Sequence, residues 1–399
     1  MALAFFKHKS VQILFVCGIY LAFAPFLPLK IHQILYAVSL LIKDLLLWSL
    51  PLTVGFFIAH AIASFKKKAP LFILTLFLFE GISNWCSVWY SFGCAHLISS
   101  YLPNITPCDL VDTFYPLFRL PLHKPFWWSA DKGTLAGIAL GLIATFRFPF
   151  LYLFIEKGKK MGEIILTNFF SRLIPLFILG FIARMYKTFL LEQMILGYVD
   201  FFLYLILFLI FYICLLFFVG AGFSRKIFLK NMKNLIPAGA VAFSSGCSLS
   251  TMPWTIDGTC KNLKNPDFAK SIIPATTNIQ QIGDCIANSF LCSIIYLHFN
   301  GSLPPLIDWT FFSLAFVLAR FATAAVMGGA IFIMLPIYEY YLSFTPEMIA
   351  IILTFNLILD PLITCSNVVA NGALCTIFEQ VWIYILQKFS PRKKIKATQ

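Results

Sequence analysis

Charge is scarce in this chain. Only 12% of its 399 residues are charged, with 17 acids against 30 lysines and arginines. Soluble domains carry about a quarter, so the sequence argues against a water-soluble globule. No long hydrophilic stretch offers a separate soluble domain. Histidine is rare, at six residues. His60, His96 and His298 lie near the interiors or ends of apolar segments without metal-ligand spacing, so core or interface positions suit them better. The eleven cysteines are scattered and form no CxxC pair. This argues against a disulfide framework and a zinc site, and the thiols read as small buried hydrophobes. No GxSxG, Walker or HExxH motif occurs. An intramembrane enzyme would have to use Ser248 with Glu80 and Asp284, yet no histidine or lysine base stands beside that serine. The expectation is no enzyme, no resident cofactor and no metal centre.

What fills the chain is apolar. Hydrophobic residues make up 60% and mean hydropathy is +0.86, which points to an all-α polytopic membrane protein. The 45 phenylalanines spread through every apolar segment as lipid-facing filler. The first apolar segment, Val11 to Leu29, is long for a signal peptide and reads as a retained span. The formal charge of +13 raises nucleic acid as a partner, but its placement argues otherwise. Basic clusters at Lys7/Lys9, Lys66 to Lys68, Lys157/Lys159/Lys160, Arg225 to Lys233, Lys261 to Lys270 and Lys388 to Lys396 sit at the ends of apolar segments. This is the positive-inside pattern, with contact to anionic membrane lipid.

Spans follow near 11–29, 40–65, 70–98, 131–155, 163–186, 197–222, 271–299 and 347–387. The loop 101–130 is external, Trp127 and Trp128 mark an interfacial belt, and both termini are cytoplasmic in an inner membrane. Two apolar stretches do not read as simple spans. Residues 235–256 centre on Ser, Gly, Cys and Thr and end near Pro253. Residues 309–337 centre on small residues with Gly328 and Gly329. Each reads as a re-entrant hairpin, which membranes tolerate only where it is buried in protein or lines a wet cavity. Paired hairpins are the inverted-repeat signature of a secondary transporter.

Near the C-terminal end, Asn356, Asp360, Thr364, Asn367 and Asn371 recur at spacings of four, four, three and four. They share one face of an otherwise apolar helix. An ionisable residue there normally faces a partner or a cavity, so the stripe reads as a lined site for a solute or ion. A second stripe joins Glu80 to Ser83, Asn84 and Ser87. Removal from water favours a neutral carboxyl, so Glu80 is either a proton carrier or a structural acid. Arg320 precedes the tip of the second hairpin. Pairing with Asp284, Asp360 or Glu80, binding of substrate, and snorkelling to the surface all stay open for it.

These motifs resemble the dicarboxylate/amino acid:cation symporters, the glutamate transporter homologues. SSGCSLSTMP, Ser244 to Pro253, stands where the family has a serine-rich hairpin motif ending in Thr-Leu-Pro. The family's Asn-Met-Asp-Gly-Thr in span seven matches Gln280, Gln281, Ile282, Gly283 and Asp284. Its eighth-span motif matches Asn356, Asp360, Ile363, Thr364, Asn367 and Asn371. The likeness runs from about 225 to 385 and continues weakly to the start, including Lys43 and Pro51.

The resemblance implies eight transmembrane helices, two re-entrant hairpins and a homotrimer working as an elevator. The scaffold would be residues 1–69, with spans one and two, and 101–190, with the external loop and spans four and five. The moving unit would be residues 70–100, with span three, and 191–399, with spans six to eight and both hairpins. Asp360 would bind the amino group of an amino acid, Thr364 and Asn367 would contact its carboxylate and the nearby polar network, and Ser248 would be a further substrate-binding residue. The arginine that selects acidic side chains is replaced by Ile363, and Asp284 would repel an anionic side chain. Substrate is therefore expected to be a neutral or cationic amino acid. The alternative is an acidic amino acid or dicarboxylate held by Arg320. The family's sodium carboxylates correspond to Ile282 and Asn371, and their loss weakens a site for a hard cation. The coupling ion is then H+, carried at Glu80 or Asp284, or Na+ at a residual site of hairpin-tip backbone carbonyls with Asn367 and Gln280, next to the ion-coupling position of Asn371.

Overall fold

A computed structural model of the chain describes residues 9–64, 70–100, 114–120, 122, 125, 128, 130–146, 149–165, 169, 171–187, 190–246, 248–277, 279–320 and 329–389. Every regular element among them is helical. The α-helices are α1 (Lys9–Phe23), α2 (Leu29–Ser64), α3 (Pro70–Ser99), α4 (Ala130–Phe146), α5 (Pro149–Ile164), α6 (Ser171–Lys187) and α7 (Leu190–Gly220). They continue as α8 (Arg225–Ser245), α9 (Ser248–Cys260), α10 (Pro266–Thr276), α11 (Ile282–Asn300), α12 (Leu306–Arg320), α13 (Gly329–Leu342) and α14 (Pro346–Phe389). Three described segments are long and apolar enough to cross a membrane: Phe201–Gly220, Ile282–Asn300 and Ile358–Lys388. Helix α14 has 44 residues, about 66 Å at 1.5 Å per residue, more than a bilayer core requires.

Several breaks have local causes. The expected helix over 131–155 is two helices, and Pro149 opens the second, a position where its missing N–H costs nothing. The expected hairpin over 235–256 is α8 and α9. Helix α8 ends on Gly246 at φ 57°, whose N–H reaches the Ala242 carbonyl, a left-handed cap that favours glycine. The expected span over 271–299 is interrupted between Thr276 and Ile282. Helix α10 starts on an Asn265 cap, whose side chain accepts from the Asp267 N–H, with Pro266 next. The centre of the expected second hairpin, residues 321–328 with Gly328, lies outside the described residues, as do Trp127 and Lys66 to Lys68.

Contacts divide the chain into two units. The first is Met1–Lys66, Trp85–Phe208 and Asp284–Asp360; the second is Lys67–Asn84, Leu209–Gly283 and Pro361–Gln399. In the first unit, α2 packs on α4, α5 and α6. Backbones meet closely there, because a Cβ on Gly133 would overlap the Pro51 carbonyl and one on Gly137 the Gly55 carbonyl. Small residues permit such approach. Helices α12 and α13 pack on each other over Phe312, Phe316 and Tyr338. Trp309 stacks on Phe92 of α3 at 4.5 Å, and Trp85 Nε1 donates to Ser313 Oγ at 3.0 Å.

The second unit has two apolar centres. One gathers Leu76, Ala269, Ile272, Ile273, Cys375 and Phe378. The other gathers Phe217, Leu235, Ala238, Ala242, Val368 and Ala373. Both use α14, so the polar stripe rides on a helix anchored by packing on its apolar sides. The start of α11 also lies hard against α14. A Cβ on Gly283 would fall 2.6 Å from the Ile363 carbonyl oxygen, so only glycine fits there.

Candidate functional site

Helix α14 carries the whole stripe Asn356, Asp360, Thr364, Asn367 and Asn371. Pro361 follows Asp360 directly. It has no N–H to give the carbonyl four residues back, so the helix loses a backbone bond where its carboxylate sits. Asp360 is half-buried. Ile363, Thr364, Asn367 and Asn371 are buried.

In the second unit, Ser248, Thr255, Thr277, Asn367, Val368 and Asn371 line a cavity of about 10 Å³. That admits one water-sized particle. Its lining is mostly hydroxyls and amides, which suits a water or a small cation and no apolar guest. Two of the predicted ion-coupling residues, Asn371 and Gln280, are hydrogen-bonded to neighbours. Thr276 Oγ1 donates to Asn371 Oδ1 at 2.7 Å. The Gln280 amide, turned to satisfy both neighbours, donates to the Asn367 carbonyl oxygen at 2.8 Å and accepts from the Ile282 N–H at 3.2 Å. Ile282 is fully buried and brings no charge.

The break between α10 and α11 is held by α3. Asn84 Nδ2 donates to the Ile279 carbonyl at 3.0 Å, and Asn84 Oδ1 accepts from the Gln281 N–H at 3.3 Å. One side chain thus pairs two backbone groups that a continuous helix would have satisfied internally. One turn earlier, Glu80 is 2% exposed, and its Oε2 has no hydrogen-bond partner among the described residues. A carboxylate left so would carry a large desolvation cost.

In the first unit a different network forms. Arg320 Nη1 pairs with Asp284 Oδ1 at 3.1 Å, with the arginine side chain 1% exposed and the aspartate 18%. The guanidinium also lies 4.9 Å from the Phe316 ring centre. Asn288 Nδ2 donates to the same Asp284 oxygen at 3.3 Å, and Asn356 Nδ2 donates to Asn288 Oδ1 at 2.6 Å. Asp360 lies within electrostatic reach of Asp284. Two carboxylates and one guanidinium leave this group with one negative charge when all are ionised. Of the partners open to Arg320 in the sequence, the structure gives it Asp284.

Sequence reasoning missed Asn288 and Thr276. Asn288 stands four residues after Asp284, one helical step, so the spacing was available. Thr276 ends the apolar run of α10, and nothing local marks it as the partner of a residue 95 positions away. A further polar contact it missed lies in the first unit, where Arg184 of α6 pairs with Glu347 and Tyr36. No group of three or more potential metal ligands occurs among the described residues.

The sequence profile of the sodium:dicarboxylate symporter family matches residues 133–381. No curated protein matches the chain.

Proposed function

The chain belongs to the sodium:dicarboxylate symporter family, and from that premise we propose that it takes up a neutral or cationic amino acid, driven by a proton gradient. Membership makes it a membrane-embedded transporter rather than an enzyme. In the proposed arrangement, eight spans and two re-entrant hairpins build an elevator carrier. It works as a homotrimer in an inner membrane, with both termini cytoplasmic. Asp360 binds the substrate amino group, and Thr364, Asn367 and Ser248 receive its carboxylate. Only a closed unit crosses, so movement with substrate but without the coupling ion is suppressed.

The observation that carries the substrate reading is the Arg320–Asp284 pair at 3.1 Å. It engages the cation that would otherwise select an acidic side chain. It leaves Asp360 as the carboxylate that decides charge. With Ile363 in place of an arginine, a second substrate carboxylate has no bidentate partner.

The proton reading is supported by buried Glu80 and by the neutral side chains that line the small cavity, which offer no carboxylate to a hard cation. Counterflow into proteoliposomes across the common amino acids and dicarboxylates tests the substrate. Exchange of lysine, alanine or serine without competition from aspartate is expected. Tight aspartate binding with no competition from neutral amino acids would overturn the substrate reading and return Arg320 to a direct role.

A further inference from the structure

The outer face of α8 is graded from basic to apolar. Lys226, Leu229, Lys230, Lys233, Ile236, Ala240 and Phe243 are all exposed, and steps of three or four residues place them along one side of the helix. The three lysines occupy the first turns. The far end is apolar, with Ile236 at 63% and Phe243 at 55% exposure. A helix solvated by water alone has no use for that apolar end, and a helix in lipid alone has no use for the lysines.

A second basic segment comes to the same end of the second unit. Asn262 Nδ2 donates to the Asn231 carbonyl at 3.1 Å, and Asn234 Nδ2 donates to Asn262 Oδ1 at 2.8 Å. These bonds hold the turn after α9 against the first turns of α8. The turn adds Lys261 and Lys264, and α10 adds Lys270, all exposed. Its exposed acids are consumed locally: Asp257 pairs with Lys261 and Asp267 with Lys270. Arg225, Lys226, Lys230, Lys233 and Lys264 have no acidic partner among the described residues, so the cluster keeps a strong positive excess.

We infer that this face binds anionic phospholipid, with the Lys226, Lys230 and Lys233 amines on the headgroup and the Ile236 to Phe243 strip along an acyl chain. Charge complementarity selects the anionic headgroup, and the adjoining apolar strip selects a lipid over a free anion. Long lysine stems reach the headgroup level while their methylenes stay on the apolar surface. The inference needs the membrane and not the identity of the solute, so failure of the transport reading leaves it standing.

The test is native mass spectrometry of the full chain, purified in detergent and supplied with phosphatidylglycerol or phosphatidylcholine. Wild type is expected to retain phosphatidylglycerol over phosphatidylcholine by about fivefold or more. The variant K226Q/K230Q/K233Q is expected to lose that preference, and K226R/K230R/K233R to keep it, with both monodisperse on size exclusion as the check on folding. Equal retention of the two lipids by wild type, or an unchanged preference in the glutamine variant, would overturn the inference. So would a change of oligomeric mass in the glutamine variant, which would assign the face to a second copy. Displacement of the lipid by millimolar inorganic phosphate would assign the lysines to a free anion and also overturn it.

Discussion

Asp360 is the carboxylate on the α14 stripe, and Pro361 after it opens the backbone at the same turn. Asp360→Asn keeps the shape and removes the charge. Uptake of amino acid is expected to fall below detection while expression and size-exclusion behaviour stay normal. Unchanged kinetics would make Asp360 a structural residue. Arg320 presents the opposite case, because its charge is answered by Asp284. Removing one member of a buried pair strands the other, which costs about 3 kcal/mol. Arg320→Met is therefore expected to lower thermal stability strongly, and adding Asp284→Asn to restore most of it. A cycle with no coupling between the two changes would dissolve the pair. Glu80→Gln keeps the size of a buried side chain and deletes its proton. Substrate exchange is expected to continue in this variant while net uptake loses its response to an imposed pH gradient.

At the scale of elements, the interruption between α10 and α11 exposes backbone groups that something must satisfy. Asn84 does so from α3, so Asn84→Ala leaves a half-buried carbonyl and a buried N–H without that partner. A loss of about 2 kcal/mol or more is expected, read as a lower denaturation midpoint. Gly283→Ala tests the other side of the same break. The added methyl would meet the Ile363 carbonyl, a backbone atom that cannot rotate away. Overpacking of this kind costs about 1–3 kcal/mol, and uptake is expected to drop with it. Wild-type uptake in Gly283→Ala would mean that α11 and α14 separate more easily than their contact implies. The break at Gly246 was legible in the sequence, where 235–256 reads as a hairpin, but the break at Pro149 was not, since 131–155 reads as one span. Nor were the partners of such breaks, because a backbone group's rescue by a side chain 195 positions away leaves no local trace.

For the whole molecule the deciding quantity is the driving ion. Accumulation into proteoliposomes is expected under an imposed pH gradient at equal sodium, and is expected to be weak under a sodium gradient at equal pH. Strong accumulation with sodium alone and no pH response would place the ion in the cavity beside Asn367 and Asn371, and would sink the proton reading. Sequence alone determined the membrane class, the helical architecture and the family, because hydropathy and a few motif spacings are local and survive substitution. It also picked out the α14 stripe, because one helix carries every member of it. Only the tertiary structure decided that Arg320 belongs to Asp284, that Thr276 takes the Asn371 oxygen and that Asn84 bridges the broken segment. Each is a contact between helices remote in sequence, and charge or hydrogen-bonding capacity says that a partner is needed without saying which one packing will bring.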